Sequence, residues 1–196
     1  MTFHLNQNDT YISKELDPLL TCLHYQVNLQ LLNLSSVNFF GKGKLLNYCI
    51  SQLHKLCELH LQCCDIDAEC LMNISHFPSL LRVLDLSYNP LGGCSQEKLY
   101  NLLNPLERLQ ELYLKNCELE EFKYALKCSS LVKLDISWNP IGGDGAVNFL
   151  QRHLLTLNLS NTQNSKSNVI DRIFFNDSIV SATYSLILFP KILIIN

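Results

Sequence analysis

Five times in succession the sequence runs through L-x-x-L-x-L-x-x-N/C-x-L or a close variant of it, and a sixth run breaks off part-way. The first is Leu29, Leu32, Leu34, with Val37 in the Asn/Cys slot and Phe39 closing it. Leu56, Leu59, Leu61, Cys64, Ile66 follow, then Leu81, Leu84, Leu86, Asn89, Leu91. The fourth is Leu109, Leu112, Leu114, Cys117, Leu119, and the fifth Leu131, Leu134, Ile136, Asn139, Ile141. The sixth, Leu154, Leu157, Leu159, Thr162, has Asn164 where the closing apolar residue should stand. Successive first leucines are 27, 25, 28, 22 and 23 residues apart. A chain of this period folds by stacking, because no unit buries its apolar face alone and neighbours together make one continuous core.

Each slot has a physical reading. The x-L-x-L-x stretch predicts a short strand whose two leucines point inward while their neighbours point out. The Asn slot falls where the chain turns away from the sheet, and an amide there satisfies backbone groups that the turn leaves unpaired. Cys or Thr fits the same narrow space with a weaker bond. The returns read as helical: Gln96–Leu103 carries leucines at helical spacing after the turn Asn89-Pro90-Leu91-Gly92-Gly93. Gly142–Leu150 repeats that design, with Asp144 near a helix start. The predicted fold is an α/β solenoid with a curved parallel sheet on the concave side and helical returns on the convex side.

This pattern resembles leucine-rich repeats, and its helical returns resemble the ribonuclease-inhibitor-like class in particular. The slot sequence Val, Cys, Asn, Cys, Asn, Thr is close to the alternation of that class. Two segments are similar to a narrower family, the tonsoku-like proteins: Leu34-Ser35-Ser36-Val37 followed by Gly41-Lys42-Gly43, and Leu84–Gly92 continuing to Leu102-Leu103. The second segment is partly generic repeat consensus. The resemblance spans roughly residues 29 to 162 and corresponds to the C-terminal repeat region of a much longer protein. It implies a nuclear scaffold that joins a partner subunit in recombination repair of stalled replication forks. Members of that family read newly made histone H4 through ankyrin repeats and also carry tetratricopeptide repeats; this sequence has neither, so histone reading does not carry over. The alternatives are a repeat adaptor or regulator unrelated to DNA repair, or one structural part of a larger solenoid.

Composition narrows the function. Hydrophobic residues make up 47% of the 196 and charged residues 17%, which argues for a packed core rather than disorder. A net charge of −3 lacks the clustered Lys and Arg that phosphate-backbone binding requires, so no direct nucleic-acid binding is expected. The first residues, Met1 to Asp9, do not form a basic segment followed by an apolar one, and so do not read as a secretory signal. An intracellular setting, nucleus or cytoplasm, is then expected, with the nine cysteines mostly free core thiols. Asn-x-Ser triplets such as Asn73-Ile74-Ser75 carry no meaning there.

The chain divides into residues 1–24, a cap or partial repeat; 25–164, the repeats; and 165–196, a non-repeat tail. Ile179–Ile195 in that tail is apolar but interrupted by Ser181, Thr183, Ser185, Pro190 and Lys191. It is short and broken for a membrane span, and reads better as a strand capping the last repeat or as an unrelated end.

On the concave sheet the outward residues form lanes. One reads Leu31, Glu58, Val83, Glu111, Lys133, Thr156; the next reads Asn33, His60, Asp85, Tyr113, Asp135, Asn158; a third, just before the Asn/Cys slot, reads Ser36, Cys63, Tyr88, Asn116, Trp138, Asn161. Glu58, Asp85, Glu111 and Asp135 give this face an acidic bias, tempered by Lys115 and Lys133. Tyr88, Tyr113 and Trp138 add aromatic anchors of the kind that dominate interfaces. These seven acidic and aromatic residues are the candidate site, for a moderately basic protein partner.

No catalytic residue, metal or cofactor is expected. Gly41-Lys42-Gly43-Lys44 lacks phosphate-loop spacing and reads as a turn. Cys57, His60, Cys63, Cys64 and Cys70 tempt toward zinc, but Cys64 fills the repeat slot, and the period puts Cys57 and His60 on different faces. His4, His24, His54, His76 and His153 form no triad or H-E-x-x-H pattern.

Overall fold

A computed structural model describes residues 1–5, 16–141, 154–158, 160 and 192–194. Its strands are Thr2–His4 (β1), Leu31–Asn33 (β2), Glu58–His60 (β3), Val83–Asp85 (β4), Glu111–Tyr113 (β5), Lys133–Asp135 (β6), Thr156–Asn158 (β7) and Ile192–Ile194 (β8). They form one parallel sheet in chain order. Leu32, Leu59, Leu84, Leu112, Leu134 and Leu157 stand in one row across it.

In β2 to β7 the middle residue is buried and both flanks are half-exposed. This is the period-two alternation that the x-L-x-L-x stretch predicts. Sheet-like pairing runs one residue further: the amides of Leu34, Leu61, Leu86, Leu114 and Ile136 donate to His60, Asp85, Tyr113, Asp135 and Asn158. The second inward leucine of each unit is therefore pinned to the next unit. The core is one cluster running from Leu20 to Leu157.

The helices are Leu16–Leu23 (α1), Gly43–Ile50 (α2), Ala68–Asn73 (α3) and Gln96–Leu103 (α4), and each packs on the next. Their starts are legible in the sequence. Ser95 caps α4 by accepting from the Lys98 amide at 3.2 Å, and Asp67 caps α3 by accepting from the Cys70 amide at 2.8 Å. Leu99, Leu102 and Leu103 form the buried face of α4. The Gly41–Lys44 segment carries the turn into α2 and its first two residues, with Gly41 at φ +68° and Lys42 at the N-cap.

One return departs from the expected design. Between β5 and β6 the chain forms no helix over residues 114–132. The unit that begins at Leu109 is the shortest, 22 residues, which leaves its return three to six residues fewer than the units that carry α2, α3 and α4. Phe122, Leu126 and Cys128 fill the core from a non-helical path instead.

Ahead of the first consensus unit, β1 pairs with β2 and α1 packs against α2. The helix expected at Gly142–Leu150, the slot residue Thr162 with Asn164, and the tail apart from β8 lie outside the described residues. No helix among the described residues is long and apolar enough to cross a membrane.

Candidate functional site

The outer sheet face is held in place from below by the Asn/Cys slots. The Asn89 side-chain carbonyl accepts from the amides of Cys64 (2.9 Å) and Ile66 (3.0 Å) in the preceding unit. Its amide nitrogen donates to the carbonyls of Leu61 (2.7 Å), Leu86 (2.8 Å) and Ser87 (3.3 Å). Asn139 repeats the set one Asn slot later, accepting from Cys117 and Leu119 and donating to Leu114, Ile136 and Ser137. The cysteine slots make the weaker bond expected of them: Cys64 Sγ donates to the Leu34 carbonyl at 3.1 Å, and Cys117 Sγ to the Leu86 carbonyl at 3.2 Å.

Burial pushes both slot thiols up to about 12, so they stay neutral donors at physiological pH. A raised folded pKa stabilises below the ordinary value of 9.0, and that contribution is lost as pH climbs from there toward 12. All nine cysteines are free; Cys22 and Cys63 are exposed and Cys57 half-buried, while the other six are buried. A thiol reagent at pH 8 should therefore label three sites rapidly in the native protein and all nine after denaturation. Rapid native labelling at Cys64 or Cys117 would mean that the stack opens far more easily than this packing allows.

Just before each slot the chain turns through the left-handed region. Ser36, Cys63, Tyr88, Asn116 and Trp138 have φ of 67°, 54°, 59°, 50° and 59°. Each such residue costs about 1 kcal/mol or more, and persists because its surroundings over-determine it. The Tyr88, Asn116 and Trp138 amides donate to Lys115, Ser137 and Ser160 of the next unit at 2.7, 2.9 and 2.8 Å. The third lane is thus a row of rigid turn positions beside the strands. Trp138 is 55% exposed there.

The second lane has a structural task that sequence reasoning missed. The carboxylates of Asp85 and Asp135 accept from the amides of Ser87 and Ser137, each at 2.9 Å. Ser137 Oγ adds a 2.6 Å bond to Asp135 Oδ1, and Asn158 Nδ2 donates to Asp135 Oδ2 at 3.0 Å. Asn33 and Asn158 make the same turn with Ser35 and Ser160. The signal was present as a recurring Asx-x-Ser. Reversing the charge at Asp85 or Asp135 would therefore break a turn, whereas asparagine, which already serves at two equivalent positions, would keep it.

The structure brings Asp85, Tyr88, Glu111, Tyr113, Asp135 and Trp138 together across three adjacent units, with Glu58 one strand away on β3. Within this group Lys133 Nζ lies 3.5 Å from Glu111 Oε2 and 5.0 Å from the centre of the Tyr113 ring, and the Tyr113 hydroxyl donates to the same carboxylate. Burial and then the Glu111 bond hold the Tyr113 hydroxyl above its ordinary pKa. Lys115 Nζ stands 5.2 Å from the Tyr88 ring centre, and its bond to Tyr88 holds the ammonium above the ordinary lysine range. Glu58 lies apart, beside His60 (3.9 Å), where it lines a cavity of about 300 Å³ with Thr2, Gln30, Leu31, Cys57 and Arg82.

Among the described residues, no three His, Cys, Asp or Glu side chains are grouped to hold a metal ion. The cysteines and histidine weighed for zinc stand in different settings, with His60 beside Glu58 and Cys64 Sγ bonded to the Leu34 carbonyl. Cys64 and Cys70 are buried, Cys63 is exposed, and Cys57 Sγ donates to the Lys55 carbonyl.

Two family models described as Leucine Rich Repeat match the chain, at residues 80–102 and 127–150. Both matches fall on units whose slot or strand residues build the face just described. No curated protein matches the chain. With eight parallel strands and helical returns ahead of β2, β3, β4 and β5 among the described residues, the repeat matches make this an α/β leucine-rich repeat solenoid. Such repeats suggest a protein-interaction module, since stacked units present an extended binding surface.

Proposed function

We propose that this chain binds a moderately basic protein partner on the concave sheet face, through Glu58, Asp85, Tyr88, Glu111, Tyr113, Asp135 and Trp138. The observation that carries this reading is the cluster itself. Three aromatic rings and three carboxylates stand on three adjacent units, on backbone fixed by neighbouring units rather than on mobile loops. Rigid aromatic anchors beside charge are what hot spots are made of, and the charge gives specificity and association rate more than raw affinity. Polar residues also stand on such a face merely because it meets water, so the test must address the group rather than any one member.

The tonsoku-like resemblance supports placing the module in a nuclear scaffold of replication-fork and recombination repair. That setting rests on the two sequence segments alone.

The test is affinity purification with the tagged chain from nuclear extract, alongside the double variant Asp85→Asn/Asp135→Asn. Asparagine keeps both Asx turns and gives up only the half-buried bond from Asn158 to Asp135, so the variant's melting temperature should fall by no more than a few degrees. Capture of the specific partner should fall about tenfold, the equivalent of two modest charge contacts. Unchanged capture would move the site off this face. Recovery of replication-repair subunits would support the nuclear setting, and their absence would remove it while leaving the face in question.

A further inference from the structure

We propose that the Trp138 ring seats an arginine side chain of an extended partner segment, with a second basic side chain, three residues along that segment, meeting Asp85. This rests on the concave-face reading above and names what the face recognises.

The chain itself shows how this surface holds cations. Of the three rings on the face, two already carry an ammonium group from the same chain: Lys115 over Tyr88 and Lys133 over Tyr113, at 5.2 and 5.0 Å. Trp138 carries none among the described residues, although indole is the best of the three rings for a cation. It is also the most exposed, and its amide is tied to Ser160 so that the ring projects from a fixed point. Among the described residues, the face thus has one ring of the same kind with no cation over it.

Charge points the same way. Four carboxylates, Glu58, Asp85, Glu111 and Asp135, share the face with two ammonium groups, those of Lys115 and Lys133. Glu111 is matched by Lys133, and both Asp135 oxygens accept bonds from its own chain. Asp85 uses Oδ1 for its turn, and no donor among the described residues reaches its Oδ2. Arginine suits the Trp138 seat better than lysine does, because a planar guanidinium stacks on indole and still directs its N–H edges to neighbouring carboxylates.

Spacing sets the motif. Asp85 lies on β4 and Trp138 just past the end of β6, with β5 between them, so the two seats are about 10 Å apart across the strands at the usual separation, and the long basic side chains span the offset along them. A segment running extended across the strands covers about 10 Å in three residues. The recognised element is then Arg-x-x-Arg, or Arg with a lysine at the second position.

Trp138 is the only tryptophan in the chain, so its emission reports on this seat directly. The probe is a blocked peptide, Gly-Ser-Arg-Ser-Gly-Arg-Ser-Gly, titrated into the intact chain. A saturable emission change is expected. The same peptide with lysines should titrate at a midpoint about threefold or more higher, and one with citrullines, equal in shape and uncharged, should give no response. Asp85→Asn should weaken the two-arginine peptide and leave a single-arginine peptide unchanged. An absent response, an equal response to citrulline, or identical midpoints for arginine and lysine each overturn the proposal. If the peptide fails while partner capture still depends on Asp85 and Asp135, the arginine seat falls and the concave-face reading stands; if both fail, both fall.

Discussion

Asn89→Ala should cost about 3–5 kcal/mol, a large share of the stability of a domain this size. The amide makes five bonds to backbone groups inside the stack, two accepted and three donated. Alanine removes all five at once and leaves the Cys64 and Ile66 amides facing a space the solvent does not reach, since Cys64, Ile66 and Asn89 are all buried. Each stranded buried group costs about 1–3 kcal/mol, and partial relaxation keeps the total below the sum. Urea denaturation gives the free energy, and hydrogen exchange at the Cys64 and Ile66 amides shows where it is lost. Cys64→Ala is the internal comparison, because that thiol donates mainly to the Leu34 carbonyl and should cost about 1 kcal/mol. A loss below about 1 kcal/mol for Asn89→Ala would show that water or a shifted backbone replaces the amide, and the ladder would no longer be what joins the units.

Asn139 makes the same pattern of bonds one Asn slot later and shares no partner with Asn89. The two losses should therefore add, as they do for separated sites, unless the stack already opens at the first break.

How much of this was legible follows from what the period encodes. A repeated inward leucine fixes strand position, register and lanes together, so the rows Leu31 to Thr156 and Asn33 to Asn158 could be read from spacing alone and stand in the sheet as read. The slot residue was legible for the same reason, down to the weaker cysteine bond. The left-handed turn at Tyr88 and Trp138 was not, since non-glycine residues at positive φ have no reliable composition signature. The non-helical return after β5 was missed because its apolar residues, Phe122, Leu126 and Cys128, do not say which path carries them inward. The outward side chains proved hardest. Asp85 looks from its lane like a free acid, and its engagement with Ser87 depends on a turn that the strand pattern does not contain.

Gly43→Ala should destabilise the chain, although the same change in an ordinary helix stabilises it by up to about 1 kcal/mol. Gly43 opens α2 against α3, and a methyl group there would lie 2.6 Å from the Cys70 carbonyl oxygen, 2.8 Å from Cys70 Cα and 2.9 Å from Asn73 Cβ. Two of these atoms are helix backbone and cannot swing aside, so α2 and α3 must separate. The cost should be about 2–3 kcal/mol, seen as a fall in Tm of about 5–10 °C. Two other glycines separate contact from conformation. Gly41 lies at φ +68° with nothing within 4 Å of an added methyl, so Gly41→Ala should cost only the left-handed strain, about 1 kcal/mol. Gly93 would place its methyl 3.5 Å from Ala68 Cβ, an ordinary contact, so Gly93→Ala should be near neutral. The expected order of loss, Gly43 above Gly41 above Gly93, is set by backbone approach, then strain, then neither. If Gly43→Ala were as mild as Gly93→Ala, the helix row would tolerate changes in its spacing, and the close approach of α2 to α3 would not be what holds these units in step.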